Sequence, residues 1–187
     1  MINGEKEAGA TMFYLGEDMD AGDIIDQKRI CICPEDDAPT LADRLIPHYV
    51  AMVEKNVPLL EKGVAPRRKQ NPEQATYAIW RVPDDGLIDW RLPAARIHNL
   101  VRGLTNPYPG AFTFWEGKKL FVWKSRVCPE KRLYLGGVPG KVEKILPGIG
   151  VNVLTGEGIL TLLEVQLEGQ DRVNASQVIR RLKMRLG

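Results

Sequence analysis

Between an apolar run at Gly9–Leu15 and a second that opens at Asp23, the chain sets Glu17, Asp18, Asp20 and Asp23 in one short segment, with glycine at Gly16 and Gly22. Carboxylates on a loop joining two strands can face a substrate, where they orient a base, steady a cation or move a proton. The Asp20-Ala21-Gly22 turn adds to this, because a residue without Cβ lets backbone and ligand approach closely. Asp20 is therefore the candidate catalytic residue. Two bland readings compete with it. Acidic residues solvate many strand-connecting turns. A calcium loop built on Asp18, Asp20 and Asp23 fails on spacing: Gly22 stands at the third ligand position, Asp23 where glycine is needed, and no Glu lies six residues beyond.

Gly9–Leu15 and Asp23–Cys33 are rich in β-branched and aromatic side chains and read as strands flanking the acidic loop. A helix is expected from near Pro39 or Thr40, with Asp37 or Thr40 able to accept from its first turn, to a stop at Gly63. Leu41, Leu45, Tyr49, Met52 and Val53 recur at helical spacing as its buried stripe, and Pro47 calls for a kink or break. Residues 64–85, with three prolines and the basic run Arg67-Arg68-Lys69, read as a linker. A shorter helix follows at Pro93–Leu104, with Ile97, Leu100, Val101 and Leu104 on one face. Strands are expected at Ala111–Trp115, Lys119–Val127, Gly140–Ile145, Gly150–Leu154 and Ile159–Val165, which permit a small barrel. A last helix at Ala175–Leu186 has Val178, Ile179, Leu182 and Leu186 in its stripe, Arg180, Arg181, Lys183 and Arg185 mostly outside it, and Asn174 or Ser176 as cap.

The composition, 44% hydrophobic and 27% charged over 187 residues, is that of an ordinary globular protein. No apolar run reaches the roughly 18 residues of a membrane span, and the start Asn3-Gly4-Glu5-Lys6-Glu7 is no secretory signal; a cytoplasmic setting is the default expectation. Residues 1–63 carry 6 basic and 13 acidic side chains, whereas 64–125 carry 10 and 5 and 126–187 carry 10 and 6. An acidic fragment joined to a basic one can steer an anionic partner, although solvated basic side chains would give the same count. Cys31 and Cys33 share a strand face and read as small buried hydrophobes. With His48 and His98 far apart, no metal site is expected.

The strand carrying Gly9-x-Thr11, followed by Met19-Asp20-Ala21-Gly22-Asp23-Ile24-Ile25, resembles the last catalytic motif of the formyltetrahydrofolate-dependent formyltransferases, a family that includes methionyl-tRNA formyltransferase and sugar-amine formyltransferases. Thr76-Tyr77, Arg81-Val82-Pro83-Asp84-Asp85-Gly86, Ile88-Asp89-Trp90 and the run His98–Phe112 resemble the linker and the start of the C-terminal domain of that family. The resemblance implies an α/β part followed by a mainly β part: residues 1–63 as the end of a Rossmann-like catalytic domain, 64–85 as linker, and 86–187 as an OB-like barrel domain. It implies 10-formyltetrahydrofolate as co-substrate and no metal. Asp20 would orient a catalytic histidine or a water, and the backbone of Gly16, Glu17, Asp18 and Met19 would border the pterin. The upstream Asn-x-His-x-Ser-Leu-Leu-Pro stretch of the family is absent from this sequence. The chain is thus expected to be the C-terminal portion of a longer enzyme, inactive alone and prone to self-association.

The implied acceptor is a primary amine on a nucleotide-linked sugar, such as UDP-4-amino-4-deoxy-L-arabinose, or on methionyl-tRNA. Asn71, Tyr77 and Arg81 are the candidates to meet its nucleotide, Arg81 through planar donors suited to phosphate; a linker salt bridge is the plain alternative for Arg81. The competing functional class is a non-catalytic OB-type nucleic-acid-binding module. Trp90, Tyr108, Phe112, Phe114 and Trp123 could stack on bases there, but residues at such positions more often belong to the core.

Overall fold

Residues 1–130, 134–182 and 184–187 are described in the computed structural model. They divide into two units, Glu5–Asp36 with Thr40–Trp80, and Met1–Gly4 and Asp37–Pro39 with Arg81–Gly187.

In the first unit, β1 (Glu7–Phe13) and β2 (Ile24–Cys31) pair antiparallel with Glu7 opposite Cys31 and Met12 opposite Asp26; a bulge at Met12/Phe13 then sets Phe13 opposite Ile24. Helix α1 spans Ala38–Glu61 and does not break at Pro47 or Pro58. Its inward face differs from the expected stripe. Met52 and Asn56 are buried, Leu41, Leu45 and His48 half-buried, whereas Tyr49 and Val53 lie 46% and 51% exposed. A polar contact accompanies this orientation: Asp26 Oδ2 on β2 accepts from Asn56 Nδ2 at 3.0 Å and from Lys55 Nζ at 2.8 Å. Those two donors hold the Asp26 carboxyl at a pKa of about 2, below the ordinary 3.8. A depressed folded-state pKa stabilises the fold fully above the unfolded value, and the contribution disappears as pH falls through about 2. Asp26→Asn is expected to cost about 1–2 kcal/mol in urea unfolding at pH 7, discounted for the solvent around Lys55, and almost nothing at pH 2.

The rotation leaves Ile46, Tyr49, Val50, Val53 and Val57 on a shared exposed stripe of α1. Each such side chain is about half exposed, so covering it contributes roughly 1 kcal/mol. The chain is therefore expected to self-associate, and Val50→Glu with Val53→Glu to shift it toward monomer in sedimentation velocity.

In the second unit, α2 (Ala94–Leu104) buries Ala94, Ile97, Val101 and Leu104. The strands are β3 (Ala111–Trp115), β4 (Lys118–Val127), β5 (Val142–Leu146), β6 (Gly150–Leu154), β7 (Ile159–Leu167) and β8 (Val173–Asn174). They form one antiparallel sheet in the order β3-β4-β7-β6-β5, with β8 on β7. Alternating side chains, Leu120 and Val122 on β4, Val151 and Val153 on β6, Leu160 and Leu162 on β7, join Ile97 and Val101 of α2 in the core. Trp90 belongs to it too, and its Nε1 donates to Thr113 Oγ1 at 3.0 Å. Phe112 and Trp123 are buried as well, but Phe114 and Tyr108 are 40% and 53% exposed.

No closed barrel is found among the described residues, and the end strands bond to segments outside the strand path, Gly187 N donating to Phe114 O of β3 at 3.1 Å. Ile88 N donates to Phe112 O of β3, while Val142 N of β5 donates to Met184 O and Leu186 N to Gly140 O. The last pairing also overturns the C-terminal helix. Only Ala175–Val178 is helical (α3), capped by Asn174 Oδ1, which accepts from Ser176 N at 3.0 Å. Beyond it the chain extends to pair beside β5, burying Ile179 and Leu186 and leaving Leu182 53% exposed. Lys183, expected on the polar side of that helix, lies outside the described residues.

Candidate active site

The acidic loop is closed at its neck by backbone: Tyr14 N donates to Asp23 O at 2.9 Å. The neck tolerates only glycine at its crossing point, since a Cβ on Gly22 would lie 1.6 Å from Tyr14 O. Within the loop Asp20 has φ of 54°, in the left-handed region that aspartate enters more readily than most residues. The side chains of Leu15 and Met19 are each 92% exposed, and Gly16, Glu17, Asp18 and Asp20 are exposed beside them. The loop thus brings together Asp20 and the four residues expected to border a pterin.

The four carboxylates of the segment are not equivalent. Asp23 pairs with Arg67 (Nη1 to Oδ2, 3.5 Å), whose guanidinium also stacks over the Tyr14 ring at 3.7 Å. Glu17, Asp18 and Asp20 make no side-chain hydrogen bond or ion pair among the described residues. Asp20 is therefore a carboxylate held out on a closed loop, with no cation paired to it among the described residues. Such a group can bind and orient a cation or an imidazole brought to it. Neither histidine in the chain takes that place. His98 lies in the second unit, its Nδ1 3.0 Å from Ser125 Oγ, and burial, aided by the charge of Arg102, pushes its pKa down. His48 is half-buried on α1.

Residues 64–70, within the expected linker, bind this loop and the start of β2. Ile24 N donates to Arg68 O at 2.8 Å and Arg68 N to Ile24 O at 3.0 Å, a short antiparallel bridge beside β2. Gln70 Nε2 then donates to Asp20 O at 2.7 Å and to Gly22 O at 2.8 Å. Sequence reading missed Arg67, Arg68 and Gln70. The basic run was visible, but nothing in its spacing names a partner more than forty positions away.

The remaining candidates are dispersed. Asn71 adjoins Gln70, and its Oδ1 accepts from Glu73 N at 3.0 Å to cap the short 3-10 turn Pro72–Gln74, which leaves its Nδ2 for other use. Tyr77 is 94% exposed in the same unit, as are Ile79 and Trp80 at 89% and 96%. Arg81 begins the long segment of the second unit and makes no ion pair among the described residues.

The cysteine expectation needs correction. Cys31 is exposed and Cys33 half-buried; Arg44 reaches the Cys31 carbonyl and the Cys33 sulfur while pairing with Asp36. Among the described residues no three His, Cys, Asp or Glu side chains gather as a metal set. In the second unit a recess of about 150 Å³ is lined by Arg126, Cys128, Glu143, Lys144, Asn152 and Thr161, among others. There Thr161 Oγ1 donates to Asn152 Oδ1, Asn152 Nδ2 to Glu143 Oε2, and Tyr134 OH to Glu143 Oε1. That row is satisfied from within and is read as structural. No helix among the described residues is long and apolar enough to cross a membrane.

Comparison with known proteins places these features. The family model described as formyl transferase, C-terminal domain, matches residues 82–183, and the one described as formyl transferase matches residues 1–54. A methionyl-tRNA formyltransferase of Desulforamulus reducens is 35% identical over 187 residues, covering 100% of this chain and 58% of its own length. HypX from Aquifex aeolicus, solved with tetrahydrofolic acid, superimposes with a TM-score of 0.69 at 18% identity, over 95% of this chain and 30% of that one. An N-formyltransferase from Helicobacter canadensis, solved with folinic acid and dTDP-3-aminofucose, gives 0.66 at 20% identity, over 86% and 57%. At these identities the structural likeness is one of fold. The chain spans a little over half the length of the curated relative.

Proposed function

The chain belongs to the formyl transferase family, and from that premise we propose that it carries the acid-bearing loop and C-terminal domain of an enzyme that moves a formyl group from 10-formyltetrahydrofolate to a primary amine. The observation that carries the reading is Asp20: a carboxylate exposed on a glycine-closed loop, unpaired among the described residues.

Formyl transfer joins an amine nitrogen to the formyl carbon, passes through a tetrahedral oxyanion, and returns a proton to the departing folate nitrogen. The amine must lose a proton and the leaving nitrogen must gain one, so an imidazole beside both serves as carrier. Asp20 fixes the ring by accepting from one of its nitrogens and favours the protonated form by opposite charge. In this reading the imidazole and the oxyanion donor come from residues other than those of this loop. The loop suits the co-substrate: Leu15 and Met19 offer apolar cover to a flat ring, and the backbone of Gly16–Met19 offers it polar partners.

The acceptor in this reading is a nucleotide-bearing amine, either a nucleotide-linked amino sugar or methionyl-tRNA. Tyr77 and Trp80 are exposed aromatics in a run with Arg81, which suits base stacking and phosphate contact, with Asn71 upstream. The basic balance of residues 64–187 favours an anionic acceptor. We read the second unit as an open OB-type sheet in this role, and the exposed stripe of α1 as an association surface.

The test joins the chain to the upstream portion of the Desulforamulus relative and offers 10-formyltetrahydrofolate with either Met-tRNA or dTDP- and UDP-linked amino sugars. Formyl transfer to one of them is expected, and transfer to none overturns the reading. Salt-sensitive nucleic-acid binding without any response to folate would favour the binding-module alternative.

A further inference from the structure

We propose that Gln70 is a positioning residue for Asp20, a role that rests on the formyl-transfer reading of the same loop. Gln70 lies at the end of the stretch that Arg68 fixes beside Ile24 and one residue before the Asn71 cap, so its backbone is held on both sides. From there its single side-chain nitrogen spends both hydrogens on the loop, one on Asp20 O at 2.7 Å and one on Gly22 O at 2.8 Å. The amide orientation is fixed by chemistry, because turning it would set its oxygen against two carbonyl oxygens. The two carbonyls bracket Ala21, which makes the contact a clamp across the turn.

What the clamp holds is the left-handed backbone of Asp20, with φ of 54°. A non-glycine residue at such an angle persists only where its surroundings over-determine it. The neck hydrogen bond and the Arg67–Asp23 pair secure the base of the loop. Among the described residues the tip has only the Gln70 amide and the long Ala21 N to Asp18 O contact at 3.5 Å. Gln70 is itself exposed and packs no core, so its two donors act on loop conformation and not on bulk stability. Without them the backbone of residue 20 relaxes toward ordinary angles and swings the carboxylate away from where a partner must meet it. A misplacement on that scale can cost on the order of 100-fold in rate.

The experiment compares Gln70→Glu, Gln70→Ala and wild type. Glutamate matches glutamine in shape but has no donor for the two carbonyls. In the 187-residue chain, Gln70→Glu is expected to shift and broaden the backbone amide signals of residues 18–23 and to speed proteolysis there, with the thermal midpoint unchanged. In the enzyme completed with the upstream portion of the relative, both variants are expected to lower kcat by about 10- to 100-fold with KM for the folate within about twofold of wild type. Unchanged loop signals with unchanged kcat overturn the proposal, and so does a loss of activity that tracks a fall in thermal midpoint. The NMR arm needs no catalysis. A loop disordered by Gln70→Glu in a wild type that transfers no formyl group would support the clamp and refute the formyl-transfer reading, so the two failures are told apart.

Discussion

Asp20→Asn in the completed enzyme is expected to lower kcat for formyl transfer by about 10²- to 10⁴-fold, the usual weight of a group serving proton transfer. The substitution is a clean probe here for structural reasons. Asparagine enters the left-handed region at least as readily as aspartate, and every hydrogen bond recorded for residue 20 uses its backbone carbonyl, which the change leaves in place. Loop geometry and folate affinity should therefore survive, and only the negative charge is lost. At an effective dielectric of about 20, a charge about 4 Å from an imidazolium is worth on the order of 4 kcal/mol, which converts to about 10³-fold, the middle of that range. The measurement is a single-turnover rate beside a folate titration. A rate within about threefold of wild type would reduce Asp20 to a solvated turn residue. Asp20→Glu restores the charge but displaces it by one methylene, and its rate should fall between the two.

The features that sequence made legible are those whose causes lie within a few residues. β3 and β6 follow the short apolar runs Ala111–Trp115 and Gly150–Leu154, and α2 follows the spacing of Ile97, Val101 and Leu104. The loop around Asp20 was readable too, since its acids and glycines are contiguous. Features decided at a distance were not. Val178, Ile179, Leu182 and Leu186 have helical spacing, but the backbone at Gly140 and Val142 beside β5 offers Met184 and Leu186 a pairing that propensity cannot foresee. The face of α1 follows the same logic. Tyr49 and Val53 satisfy the period as well as His48 and Asn56 do, and the structure instead brings Asn56 and Lys55 to one carboxylate on β2. Proline-rich composition marks residues 64–85 as linker, while Arg67 and Gln70 spend side-chain polar groups on the candidate loop and Arg68 bonds to β2. Composition reports that a segment lacks a regular ladder and says nothing of what its side chains hold.

Gly22→Ala should be the most damaging change in the first unit, and the reason differs from the usual argument about glycine. Gly22 does not occupy the left-handed region, so alanine suffers no conformational penalty there. Its Cβ would fall 1.6 Å from Tyr14 O and 2.8 Å from Tyr14 C. Both obstacles are backbone, so no side-chain rotation relieves the clash, and Tyr14 can retreat only by breaking its N–H bond to Asp23 O. Opening that neck also disturbs the Gly22 carbonyl held by Gln70 and the Tyr14 ring under Arg67. A loss of at least about 3 kcal/mol in urea unfolding is expected, at the upper end of what overpacking costs because the main chain itself must move. Formyl transfer by the completed enzyme should drop to background with it. Gly16→Ala supplies the control from the same loop, since its Cβ would come no closer than 3.9 Å, to the Gly22 Cα, an ordinary contact. Stability within about 0.5 kcal/mol of wild type is expected for it. If the two alanines behaved alike, the neck would not be what shapes the loop, and the exposure of Asp20 would need another cause.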